Sequence, residues 1–185
     1  CTLQIFFVGM GFEAGYNACV RALITREYAE PLASMLASRQ VASIHVPCIQ
    51  LIPTGSPRPT EPCDGAVLIT SAAVARFVPE LASALGDAKV FAVGPRTTAS
   101  LAAVSVDVAY TGNMGGVEAM QQMLRTESSN YGYIGASEPS SGLKAALDEN
   151  GVWAWAVYKN TVPAGLRTAL ATASYDIALF SSGSA

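Results

Sequence analysis

Apolar positions in this chain occur with two periods. Residues 65–69 form an unbroken apolar run ending in Thr70-Ser71. Val74, Phe77, Val78, Leu81 and Leu85 then recur at helical spacing, and a second apolar run over residues 90–93 ends in Gly94-Pro95-Arg96-Thr97-Thr98. Strand, helix, strand and a hydroxyl-rich turn into another helix predict a parallel sheet covered by helices. Such sheets bind ligands beyond the carboxyl ends of their strands, where both turns fall.

The flanking chain continues the alternation. Upstream, residues 21–25 read as a strand, 27–39 as a helix (Leu32, Met35 and Leu36 at helical spacing) and 41–46 as a strand. An extended piece over 48–52 lies between Pro47 and Pro53. Four prolines among residues 53–62 make that stretch a loop, because no helix runs through them. Downstream, 104–110, 131–134, 152–158 and 176–180 read as strands, and 117–124, 143–149 and 163–173 as helices. Asn150-Gly151 stops the second of these helices, and Pro163 suits the first turn of the third. A third hydroxyl-rich turn, GASEPSS, spans 135–141. Residues 65–71 also align without a gap to 176–182, which reads either as an internal duplication or as chance likeness between two buried strands.

The first twenty residues fit this pattern poorly. Residues 3–10 are apolar, and Glu13, Gly15 and Asn17 interrupt the remainder of the segment. With no basic start the segment is a poor signal peptide, and it is too short to span a bilayer. It reads as a fragment or miscalled start, or else as an amphipathic extension.

Composition sets limits on function. The chain is 51% hydrophobic and 14% charged, enough for a real core, with a net charge of −3. It has no Lys/Arg run, which argues against nucleic acid and anionic membranes as partners. Its four cysteines lie in no Cys-x-x-Cys pair, and His45 is the single histidine, so the sequence offers no zinc pattern. Unpatterned cysteines in an α/β chain point to a reducing, cytoplasmic setting.

No Gly-x-Ser-x-Gly, P-loop or Gly-x-Gly-x-x-Gly motif is present. His45, before a proline, reads as a packing residue. Asp64 and Asp176 read as turn residues, and Glu27 and Glu30 as acids in the first turn of a helix. What recurs is a strand end, then Ser or Thr, then a helix start: Thr70-Ser71, Thr97-Thr98, Ser140-Ser141 and Ser181-Ser182. Each is an N-cap or a ligand donor. Several together would present an N–H and O–H array able to hold carboxylates without many cations, with Arg96 adding one charge. Tyr158, at a strand end, is either a half-buried strand tyrosine or a phenol facing that array.

Ala22-Leu-Ile-Thr-Arg26 with Glu30-Pro-Leu32 resembles the opening of the uroporphyrinogen-III synthases. So do His45-Val-Pro47 with Ile49, Leu51 and Pro53, and Leu68-Ile-Thr-Ser71 with Ala73-Val74. Lys89-Val-Phe-Ala-Val-Gly-Pro95 with Thr97, Val157-Tyr158 with Thr161, and Phe180-Ser-Ser182 with Ser184 extend the match in order to the last residue. The resemblance implies two flavodoxin-like parallel-sheet domains joined by a two-stranded connector. One is discontinuous, from residues 21–46 plus 161–185; residues 47–160 hold the connector strands and a continuous domain, and 1–20 stand apart.

It further implies cofactor-free cyclisation of hydroxymethylbilane to uroporphyrinogen III, with inversion of ring D and loss of water, through an azafulvene and a spiro intermediate. The substrate carries eight carboxylates, which suits the donor turns. The expected protein is a cytoplasmic monomer that takes its substrate by hand-over from hydroxymethylbilane synthase. By resemblance Tyr158 helps the hydroxyl leave, and Thr70, Ser71, Arg96, Thr97 and Ser182 bind substrate. Two departures stand out. The loop after Ile134 lacks the basic residue common in relatives. Roughly the last 70 residues of the family are missing, which predicts an incomplete, poorly stable end-built domain. A non-catalytic α/β module binding a small anion is the alternative reading.

Overall fold

The computed structural model describes residues 3–7, 20–60, 65–113, 115–128 and 130–181. The chain divides into two compact units, Cys1–Leu51 with Asn160–Ser184, and Ile52–Lys159. The fold is mixed α/β with parallel sheets, as the alternation of periods predicts.

In the first unit, β2 (Arg21–Ile24) pairs in parallel with β3 (Ala42–His45) and with β10 (Ile177–Ser181). A fourth strand, β1 (Leu3–Phe7), adds antiparallel to β10, although the sequence showed no strand in the first twenty residues. The Thr25 hydroxyl donates to the Leu179 carbonyl at 2.9 Å, tying β2 to β10. Asp176 takes the Arg21 N–H at 2.8 Å, a strand-end bond consistent with its turn position. Helix α1 (Leu32–Ala37) is far shorter than the expected 27–39, because Pro31 lacks an N–H and disfavours helix before it. Glu30 receives the Ser34 hydroxyl at 2.7 Å near that start, whereas Glu27 instead takes the Leu51 N–H at 3.2 Å. Helix α7 (Leu166–Thr172) lays Leu166, Ala169 and Leu170 against a small core of Leu23, Val46 and Ala178. His45 is exposed rather than packed, and its ring Nε2 lies 2.8 Å from the Arg26 carbonyl oxygen.

The second unit is built on β5 (Ala66–Ile69), β6 (Lys89–Val93), β7 (Val108–Gly112) and β8 (Tyr131–Ala136), with parallel pairing from β8 to β7 through β5 and β6. Strand β9 (Trp153–Thr161) pairs in parallel with β8, and β4 (Gln50–Pro53) lies on its other side. β7 starts at Val108, later than expected, because residues 101–106 close the preceding helix through a turn with Ser105 at φ 59°.

Alternation along the strands sends Ala66, Leu68, Phe91 and Tyr133 to one face. There α5 (Gly116–Leu124) and α6 (Ser141–Glu149) bury Ala119, Met120, Met123, Leu143 and Leu147 against them. The opposite face, with Val67, Ile69, Val90, Ala92 and Ile134, is buried beneath the apolar side of α2 (Ala73–Phe77), α3 (Leu81–Leu85) and α4 (Pro95–Ala102). The sequence read α2 and α3 as one helix. Pro79 separates them, leaving Val78 at φ −131°, ψ 77°.

Candidate binding edge of the second unit

Because the strands of this sheet run parallel, their carboxyl ends gather the starts of α2, α4, α5 and α6 along one edge. The first N–H groups of a helix have no partner within it. The N-cap positions of α4, α5 and α6 are Gly94, Gly115 and Ser140, and none makes a side-chain capping bond. Gly94, at φ 82°, turns the chain sharply into Pro95 in the first turn. Among the hydroxyls that could have served as caps, Ser71 accepts the Ala73 N–H at 3.1 Å. The Thr98 hydroxyl instead pairs with that of Thr111 at 2.8 Å.

Thr70 follows β5, and its hydroxyl lies 3.5 Å from the Tyr133 phenol, which also donates to the Ala136 carbonyl at 3.4 Å. Tyr133 is 2% exposed. Burial pushes its phenol above the ordinary tyrosine value; the hydrogen bond with Thr70 opposes this and the neighbouring Tyr158 adds to it. The Tyr133 ring leans along the strand over Gly135, where a Cβ would stand 2.2 Å from the phenol oxygen. Gly135 is therefore there for space.

Tyr158 is buried, with its ring stacked on Phe77 at 5.7 Å and 21°. The Arg76 guanidinium lies 4.4 Å over the same Phe77 ring, which brings a cation to this side of the edge. Thr97 is buried within the first turn of α4. Arg96 beside it is exposed. Thr70, Ser71, Arg96, Thr97 and Tyr158 thus all lie in the second unit, at its carboxyl edge. Ser182 lies outside the described residues. Sequence reasoning missed Tyr133, hidden inside an apolar run, and Arg76, which resembles any surface arginine on a helix. The one available signal was Tyr133-x-Gly135, a large ring two residues before a residue without a side chain on the same strand face.

A concavity of about 280 Å³ lies at the opposite, amino-terminal edge of this unit. Its lining includes Asp87 and Asp107 and no basic residue, so it disfavours a polycarboxylate. Among the described residues no helix is long and apolar enough to cross a membrane.

A parallel sheet with helix starts and hydroxyls collected at its carboxyl edge defines an α/β protein whose ligand edge suits anions. Residues 30–185 match the family Uroporphyrinogen-III synthase HemD, and the chain belongs to that family. It is similar to a crystal structure of a mutant uroporphyrinogen III synthase from the extremely thermophilic bacterium Thermus thermophilus, with TM-score 0.54 and 17% identity over 78% of this chain. The chain spans 64% of that structure's length. It is also similar to uroporphyrinogen-III synthetase from Helicobacter pylori 26695, with TM-score 0.53 and 18% identity, over 82% of this chain and 68% of the other. At such identities the likeness concerns the fold. No curated protein matches the chain.

Proposed function

We propose that this chain acts as a uroporphyrinogen-III synthase and that the carboxyl edge of the second unit holds part of a linear tetrapyrrole, hydroxymethylbilane. The observation that carries this reading is the gathering of Thr70, Tyr133 and Tyr158 beside helix starts that have no side-chain cap. Backbone N–H groups there suit the acetate and propionate carboxylates of the substrate, and Arg76 and Arg96 add formal charge. A net charge of −3 is compatible with binding such an anion because the donors are local and oriented.

In this reading the Tyr158 phenol donates a proton to the hydroxyl of the hydroxymethyl group, which departs as water. Loss of the pyrrole N–H proton gives the azafulvene. The substituted carbon of the last ring then attacks, and the resulting spiro intermediate rearranges to the inverted macrocycle. The protein's main contribution is to hold the two ends of the substrate together. Substrate arrives from hydroxymethylbilane synthase, and the protein works as a cytoplasmic monomer without a cofactor.

The test supplies hydroxymethylbilane generated in situ and separates the oxidised porphyrins by chromatography. Spontaneous closure gives the type I isomer, so an excess of type III that falls about tenfold or more in Tyr158→Phe supports the reading. Type I alone, from this chain and from any longer form that contains it, sinks the reading and favours a non-catalytic anion-binding module.

A further inference from the structure

The pairing of β9 with β8 shifts at its carboxyl end. Gly135 pairs with Ala156, but the next residue, Ala136, pairs with Tyr158, so Val157 is an extra residue in β9. This is a β-bulge, a device that re-aims the side chain following it. Its consequence can be read from the register. Tyr133 pairs with Ala154 and Gly135 with Ala156, so regular alternation would carry Tyr158 onto their face, the one covered by α5 and α6. Instead Tyr158 shares the position of Ala136 and stacks on Phe77 of α2, on the opposite face.

A bulge also misdirects a carbonyl. In a regular strand successive carbonyls point to opposite neighbours. Here the Tyr158 carbonyl accepts the Ser137 N–H at 2.8 Å, as expected toward β8. The two preceding carbonyls both turn to a single residue on the other side. Thr54 donates its backbone N–H to Val157 at 3.2 Å and its hydroxyl to Ala156. A backbone residue offers only one N–H, so the surplus carbonyl needs a side-chain donor. The Ser56 N–H donates to the same Thr54 oxygen at 3.2 Å, which leaves the hydroxyl proton directed at Ala156.

We infer that Thr54 is a positioning residue: its hydroxyl holds the Val157 bulge, and the bulge turns Tyr158 toward Phe77 and the carboxyl edge. The catalytic consequence rests on the reading of Tyr158 given above, and the geometric consequence does not. Thr54→Val keeps the shape and the backbone N–H but removes the donor, whereas Thr54→Ser restores it.

The test incorporates fluorotyrosine into the full chain, which has seven tyrosines, and follows ¹⁹F resonances assigned by Tyr→Phe variants. In Thr54→Val the Tyr158 resonance should move or broaden while those of Tyr110 and Tyr131 hold, and Thr54→Ser should return it. An unmoved Tyr158 resonance overturns the inference. So does an even displacement of all the tyrosines, which a general loosening would give. If the valine variant does not fold, Thr54→Ala serves the same comparison. In the isomer assay Thr54→Val should lower kcat about tenfold, with KM within about twofold, since misplacing a reacting group affects the chemical step more than binding. If Tyr158→Phe leaves kcat unchanged, the catalytic reading of Tyr158 fails, while the ¹⁹F result still decides the role of Thr54.

Discussion

Gly135→Ala offers the sharpest test of how the second unit is packed. The added Cβ would lie 2.2 Å from the Tyr133 phenol oxygen, 2.5 Å from Cζ and 3.0 Å from Cε2. Carbon needs about 3.5 Å from each, so the ring must retreat by on the order of 1 Å. It has little room, because Met120, Met123, Leu143 and Leu147 share its core cluster. Overpacking of this kind costs about 1–3 kcal/mol, and disturbing the buried phenol's hydrogen bonds to Thr70 and Ala136 adds up to about 1 kcal/mol. The expected loss is therefore about 1–4 kcal/mol. Urea unfolding followed by tryptophan fluorescence reads it directly, since both tryptophans, Trp153 and Trp155, lie in β9. In a Tyr133→Phe background the closest contact is gone and the same substitution should cost about 1 kcal/mol less. Gly142→Ala is the control. Its Cβ meets only Val117 Cγ2 at 3.9 Å, within α6, so it should be neutral or stabilise by up to about 1 kcal/mol. A Gly135→Ala cost below about 0.5 kcal/mol, or one equal in both backgrounds, would refute the packing argument.

Two further outcomes rest on the electrostatics. The Tyr133 phenol is held above its ordinary value by burial, so its folded pKa exceeds its unfolded one. Its contribution is then fully present below about pH 10 and lost as pH rises above it, where the unfolded phenol ionises first. Urea midpoints between about pH 8 and 11 should fall less steeply in Tyr133→Phe than in the parent, and parallel curves would count against the shift. Lys144 and Asp148 form an ion pair at 2.8 Å with both side chains about two-thirds exposed, at 64% and 67%. Lys144→Ala should change stability by less than about 0.5 kcal/mol, and a larger loss by urea unfolding would show a role beyond this pair.

Most of the local structure was legible in runs of neighbouring residues. The runs ending at Ile69 and Val93 are apolar without interruption because both faces of a central parallel strand are covered. The turns after them were legible through Gly, Pro, Ser and Thr, whose backbone limits act locally. The break at Pro79 was equally local, although the helical spacing of Val78 and Leu81 masked it. Features that depend on distant partners were settled only by the assembled fold. β1 is a strand because β10, some 170 residues away in the chain, accepts it. Whether a hydroxyl caps a helix or meets another hydroxyl, as Thr98 meets Thr111, depends on where the second strand end arrives. The face taken by Tyr158 is the clearest case. The alternation of Trp153, Trp155 and Val157 assigns the tyrosine to the other side of the sheet, and the bulge reverses that assignment. Periodicity is a property of one strand, but register is an agreement between neighbours, and here it turns on Thr54, about a hundred residues earlier.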